Sequence, residues 1–185
     1  MIRLFLLLLC LGLPPAHAAP ESYQLDASGS TVSFTYDLDG AARTGRMPVQ
    51  SAKLLLDLDN VPASRVLVTL NAHAARAGFI LATEAMKSRQ VLDTARFPQI
   101  HFRSTRIRGD LRHATVTGLL TLRGVTRPVT LEARLFRQRG TPANDRSNLV
   151  VELTGDISRS AFGANGYRDF VGDRIRLRII ARISR

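Results

Sequence analysis

Along most of the chain apolar and polar residues alternate singly, the two-residue period of a strand with one buried and one wet face. In Thr31–Tyr36 the residues Val32, Phe34 and Tyr36 share one face, and Thr31, Ser33 and Thr35 take the other. Leu54, Leu56 and Leu58 fall together in Lys53–Leu58, as do Val66, Val68 and Leu70 in Arg65–Leu70. The final segment is the clearest: Ile175, Leu177, Ile179, Ala181 and Ile183 alternate with Arg174, Arg176, Arg178, Ile180 and Arg182. Further strands are predicted over Gln99–Arg108, Ala114–Leu122, Pro128–Arg137 and Leu149–Ile157. Gly109-Asp110, Arg123–Thr126 and Gly140–Asp145 supply turns, with Gly124 free to take positive φ. If Gly109-Asp110 is a two-residue hairpin turn, His101 faces Gly118 and His113 faces Arg106. Ala77–Gln90 breaks the alternation with spacings nearer three and four, which predicts a short helix near Leu81–Gln90. Thr83 and Glu84 are expected in its first turn, where negative charge suits the helix dipole. About nine strands joined mainly by short turns predict a single antiparallel all-β domain, a sandwich or a barrel.

The first residues follow a different pattern. Met1-Ile2-Arg3 is a short positive start, Leu4–Leu13 is an apolar run, and Pro14-Pro15 precedes the small-residue site Ala16-His17-Ala18. That order is a secretory signal peptide over residues 1–18, with cleavage expected after Ala18 and a single domain over residues 19–185. Ten apolar residues fall short of the ~20 that a membrane span needs. Leu9 stands before Cys10 where lipid attachment needs a small residue. The expected location is periplasmic or secreted.

Charge and chemistry narrow the picture further. The net charge is +11, and 24 of the 26 cations are Arg, since Lys53 and Lys87 are the only lysines. Outside the cytoplasm such a protein meets anionic headgroups before nucleic acid, and the low aromatic share argues against a base-stacking platform. The single cysteine excludes a disulfide framework and any multi-cysteine metal site. His73, His101 and His113 form no metal-ligand spacing, and serines such as Ser88 and Ser160 lack a base placed by the sequence. The expectation is a non-enzyme without metal or cofactor. The apolar faces carry more information, because a closed sheet of about eight strands either fills its interior or holds a small ligand. The inward set would include Phe34, Leu56, Val68, Phe102, Leu120, Leu131, Leu153 and Leu177.

Three stretches resemble the YceI family of exported proteins. Gly118–Val129 follows its G-x-L-T-x-R-G-V-T-x-P-V pattern. Ile157–Gly163, then Val171-Gly172-Asp173, resembles its I-x-R-x-x-F-G … V-G-D ending, and Tyr23–Phe34 its opening W-x-L-D … S-x-V-x-F. Tyr23 stands in place of the usual Trp and Gly29 in place of His. Of the middle motif only Met86-Lys87-Ser88 and Val91-Leu92-Asp93 are kept.

The resemblance implies a lipocalin-like antiparallel barrel with a helix near one end and a long apolar cavity. In such relatives that cavity holds an isoprenoid chain. An amphiphilic, polyisoprenoid lipid is thus the expected ligand, against the apolar set above and Phe162, which either orders its loop or closes over the chain. Arg123, Arg127 and Arg159 are candidates for an anionic head, or are solvated and loop-ordering cations. The alternative is a filled barrel acting as an interaction or stress-response module at an anionic membrane surface. Oligomeric state is left open.

Overall fold

The computed structural model describes residues 19–137, 140, 142 and 145–185. The expected signal peptide and part of the Gly140–Asp145 turn lie outside them. Nine strands follow in order: β1 Glu21–Leu38, β2 Ala41–Arg46, β3 Val49–Leu56, β4 Arg65–Asn71, β5 Gln99–Gly109, β6 Ala114–Leu122, β7 Val125–Arg137, β8 Asn148–Ser158 and β9 Arg174–Ser184. The helix α1, Ile80–Lys87, lies between β4 and β5. Every pairing is antiparallel, and β9 pairs back onto β1, so the sheet closes into a barrel. β2 and β3 occupy one place in the ring. β2 pairs with the end of β1 (Leu38↔Ala41 to Ser33↔Arg46) and β3 with its start (Tyr23↔Leu54 to Glu21↔Leu56). They are separated at Met47-Pro48, where proline has no N–H to give a ladder. The barrel therefore has eight strand positions, and β2 is the strand that alternation alone did not reveal.

Strand direction sorts the connections onto two ends. One end, here the helix end, carries the Asp39-Gly40 turn, the α1 segment, the Arg123-Gly124 turn and the loop from Arg159 to Asp173. The opposite end carries Asp57–Ser64, the β5–β6 turn, and Glu21 and Arg185, which form an ion pair. The family-like stretches Gly118–Val129 and Ile157–Gly163 thus meet at the helix end.

Three local expectations change. The β5–β6 connection is longer than two residues: Gly109 pairs with Ala114, and Asp110 Oδ1 accepts from the backbone N–H groups of Arg112 and His113. An aspartate that binds its own turn in this way favours the longer loop. The register moves accordingly, so that Arg106 faces Thr117, and a further shift between Ser104 and Arg106 sets His101 opposite Thr121. The helix starts earlier than predicted, with Phe79 at its N-cap, so Glu84 lies beyond the first turn. Thr83 is buried there. Its hydroxyl donates to Phe79 O and accepts from the Ala77 N–H, tying the helix to the preceding loop. β7 starts at Val125 because Arg123 and Gly124, both at positive φ (53° and 75°), make a two-residue turn whose twist suits a hairpin.

Candidate functional site

The inward faces of the strands do not meet. They enclose a cavity of about 570 Å³, within the 300–1,000 Å³ range of small-ligand sites. The predicted phase holds along whole strands: Val32, Phe34 and Tyr36, Leu54 to Leu58, Val66 to Leu70, and alternate residues from Ile175 to Ile183 all line it. Those last nine residues alone span roughly 26 Å of strand at ~3.3 Å per step. Phe34, Leu56, Val68, Phe102, Leu120, Leu131, Leu153 and Leu177 are all in the wall. Phe162 is not. It is 2% exposed and packs in a cluster with Leu92, Ile100, Leu120 and Leu122.

Three glycines explain how large side chains can line the barrel and still leave it hollow. A Cβ on Gly45 would lie 2.1 Å from the Phe34 ring, one on Gly118 2.5 Å from the Phe102 ring, and one on Gly155 2.7 Å from Leu131. Each large side chain therefore lies flat over a neighbouring strand's glycine instead of standing into the lumen. Gly118 belongs to the first family-like stretch. The sequence signal was a glycine standing in the apolar phase of a strand, where it weakens the strand unless something packs over it.

Polar groups are few along the cavity and mostly already bonded. At the end away from the helix, buried Asp57 accepts from the N–H groups of Asp59 and Asn60 through Oδ1. Tyr36 donates its hydroxyl to Ala77 O at 2.7 Å. The wall residues Phe79, Leu81, Tyr167 and Phe170 are also exposed, so the cavity reaches solvent at the helix end.

The three candidate arginines are engaged with backbone carbonyls. Arg123 donates to Gly163 O and Arg89 O, and Arg127 Nε to Ala161 O. The bonds to Gly163 O and Ala161 O join the β6–β7 turn and the start of β7 to the β8–β9 loop, and the bond to Arg89 O joins that turn to the segment after α1. Arg159, 8% exposed, donates to Gly172 O, Ala164 O, Gly166 O and Val171 O at 2.7–3.1 Å. Arg159 lines the cavity, but its guanidinium spends four hydrogen bonds gathering the loop around itself. Burial lowers its pKa from the usual guanidinium value, and the nearby Asp173 opposes that shift. Asp173 itself is held below the usual carboxylate range, first by the Ser158 hydroxyl, then by the hydroxyl and N–H of Ser160, with Arg159 adding a smaller attraction.

A carboxylate whose pKa is lower folded than unfolded stabilises the fold above its unfolded value and ceases to do so as pH falls through the folded one. Loop stability supplied by Asp173 is therefore expected to vanish on acidification below the ordinary value of 3.8. Amide exchange of residues 159–173 should accelerate there, and Asp173→Asn should show the fast exchange already at pH 7. Unchanged protection in Asp173→Asn would remove this role.

The polar residues considered for chemistry are dispersed. His101 Nδ1 lies 3.2 Å from the Thr69 hydroxyl on the outer wall, and His113 contacts Glu132 at 3.1 Å near the opposite end. The Ser160 hydroxyl pairs with that of Ser158. Among the described residues no three His, Cys, Asp or Glu side chains gather in a way that would hold a metal ion.

The YceI-like domain model matches residues 23–182. The chain belongs to the YceI-like family. A UPF0312 protein of Enterobacter sp. (strain 638) is 40% identical over 128 residues, covering 68% of this chain and 67% of its own. Protein YceI of Salmonella newport is 38% identical over the same length and shares. Among solved structures, Burkholderia cenocepacia BcnA superposes with a TM-score of 0.74 at 18% identity, over 86% of this chain and 99% of that one. A polyisoprenoid binding domain from Saccharophagus degradans superposes with a TM-score of 0.62 at 13% identity, over 88% and 97%. At these identities the structural neighbours share the YceI-like barrel architecture. The family's two strongest sequence stretches now have a structural reading in this chain: they supply the glycine under Phe102 and the arginines that tie the helix end together.

Proposed function

We propose that this YceI-like protein is an exported binding protein that holds an amphiphilic, polyisoprenoid lipid in the barrel. The observation that carries this reading is the long hydrocarbon-lined cavity, which reaches solvent at the helix end and is almost without free polar groups. An unfilled apolar void in a packed protein costs about 24 cal/mol per Å³. A polyprenyl chain offsets that cost and itself gains ~25 cal/mol per Å² on leaving water, before its ordering is counted. Several isoprene units in an extended row suit a space that is long and narrow. The polar head stays at the helix end, beside the exposed Arg168. No step of covalent chemistry is required. The binding domain from Saccharophagus degradans, a structural neighbour named for polyisoprenoid binding, supports the same ligand class. A barrel plugged by its own side chains, the other reading of the sequence, leaves no space of this size.

The test is organic extraction of the purified mature protein followed by mass spectrometry. A stoichiometric isoprenoid is expected in the extract. Protein that comes out empty and fails to take up added polyprenol would overturn the reading.

A further inference from the structure

The helix end is unusually apolar for a surface. Of the eight large hydrophobic side chains that stand exposed among the described residues, five are here: Phe79 (45%), Ile80 (79%), Leu81 (77%), Tyr167 (43%) and Phe170 (60%). They come from two separate segments brought together by the barrel. The Asp39 N–H donates to Phe170 O, and the Gly166 N–H to Gln90 O just beyond α1. Four of the five also line the cavity, Ile80 being the exception. The patch is therefore the rim of the opening. Arg43, Arg76, Arg89 and Arg168 are exposed at this end and make no ion pair among the described residues. Asp37, Asp39, Glu84 and Asp169 share the rim and balance these four guanidiniums, so net attraction to anions comes from the overall charge, +11 for the sequence and +10 once Arg3 leaves with the signal peptide.

We propose that the helix end docks on the surface of an anionic lipid bilayer, inserting Ile80, Leu81 and Phe170 around the cavity mouth. The inference rests on the lipid-carrier reading and adds where the lipid is collected and released. A polyprenyl lipid resides in a membrane, and a chain that passes directly from bilayer to barrel never exposes its hydrocarbon to water. A protein bound over the same patch would seal the opening; a bilayer supplies its contents. Apolar side chains at the tip with cations around them suit shallow insertion among headgroups. No helix among the described residues is long and apolar enough to cross a membrane.

The test uses the mature full-length protein with vesicles of phosphatidylcholine alone and of phosphatidylcholine mixed with phosphatidylglycerol. Co-sedimentation is expected with the mixed vesicles and should weaken with added salt. Ile80→Glu, outside the cavity wall, should lower that binding about tenfold, while its affinity for a short polyprenol offered in detergent stays at the wild-type value. Wild-type protein that ignores anionic vesicles, or Ile80→Glu protein that binds them equally well, would overturn the proposal. So would sedimentation showing a wild-type dimer that Ile80→Glu converts to a monomer, since the patch would then join two copies. Vesicle binding by a protein that takes up no polyprenol would leave the docking surface standing and remove the carrier reading.

Discussion

Replacing Arg159 with Leu is expected to destabilise the protein by roughly 3–5 kcal/mol, the largest effect of any single substitution proposed here. The magnitude follows from what the side chain leaves behind. Four carbonyls, at Ala164, Gly166, Val171 and Gly172, take their hydrogen bonds from one buried guanidinium. Each charged hydrogen bond contributes about 1.5–3 kcal/mol, and partial rehydration of the freed carbonyls holds the total below the simple sum. Arg159→Lys should recover only a minor part, because an ammonium is compact and cannot reach carbonyls on several sides of a fork. Urea unfolding with an unchanged slope and a lowered midpoint would report the loss. A shift worth less than about 1 kcal/mol would mean that the loop is held by its apolar packing instead. The destabilised loop carries Tyr167 and Phe170, so lipid retention should fall together with stability in this variant.

The second large effect concerns the cavity. Gly118→Val is expected to reduce polyprenol affinity about a hundredfold and to cost at least the ~1–3 kcal/mol of stability usual for overpacking. Any Cβ at this position lies 2.5 Å from the Phe102 ring and 2.6 Å from Arg103 O. The ring can swing away only into the lumen, and the contact with the Arg103 oxygen is relieved only if β6 shifts against β5. Phe102→Ala in the same chain should then recover part of the binding, since the displaced ring is gone and only the strand shift remains. That rescue separates a blocked lumen from a damaged fold. Full affinity in Gly118→Val alone, measured by quenching or by extraction of bound lipid, would show that the ligand does not pass Phe102.

Much of the wall was legible in advance because strand phase is a local property. Once Ile175, Leu177 and Ile179 face one way, the pleat dictates the direction of every neighbour, and eight of the nine apolar candidates line the cavity. Phe162 differs because it lies in the 3-10 turn Ser160–Phe162, where alternation says nothing about direction. The β5–β6 register shifted for a similarly local reason, the extra turn residues bound by Asp110. The sequence leaves Arg123, Arg127 and Arg159 open between touching a headgroup and acting as solvated or loop-ordering cations. Arg123 and Arg127 bind carbonyls of other connections and Arg159 gathers four carbonyls of its own loop, partners that only the tertiary path of the chain sets.

Taken by itself, the sequence determined which side of each strand is apolar, where the helix falls, and the family to which the chain is similar. These follow from residue spacing and from short motifs. Whether the apolar faces would touch or stay apart was decided only in three dimensions, since that distance depends on strand number, stagger and what lies across each rung. Gly45, Gly118 and Gly155 keep three large side chains flat because the register of the β1–β2, β5–β6 and β7–β8 pairs sets each glycine beside one of them, and closure of the sheet then brings those side chains round one lumen. The same closure gathers the segments around Ile80 and Phe170 at one rim, although some ninety positions separate them along the chain.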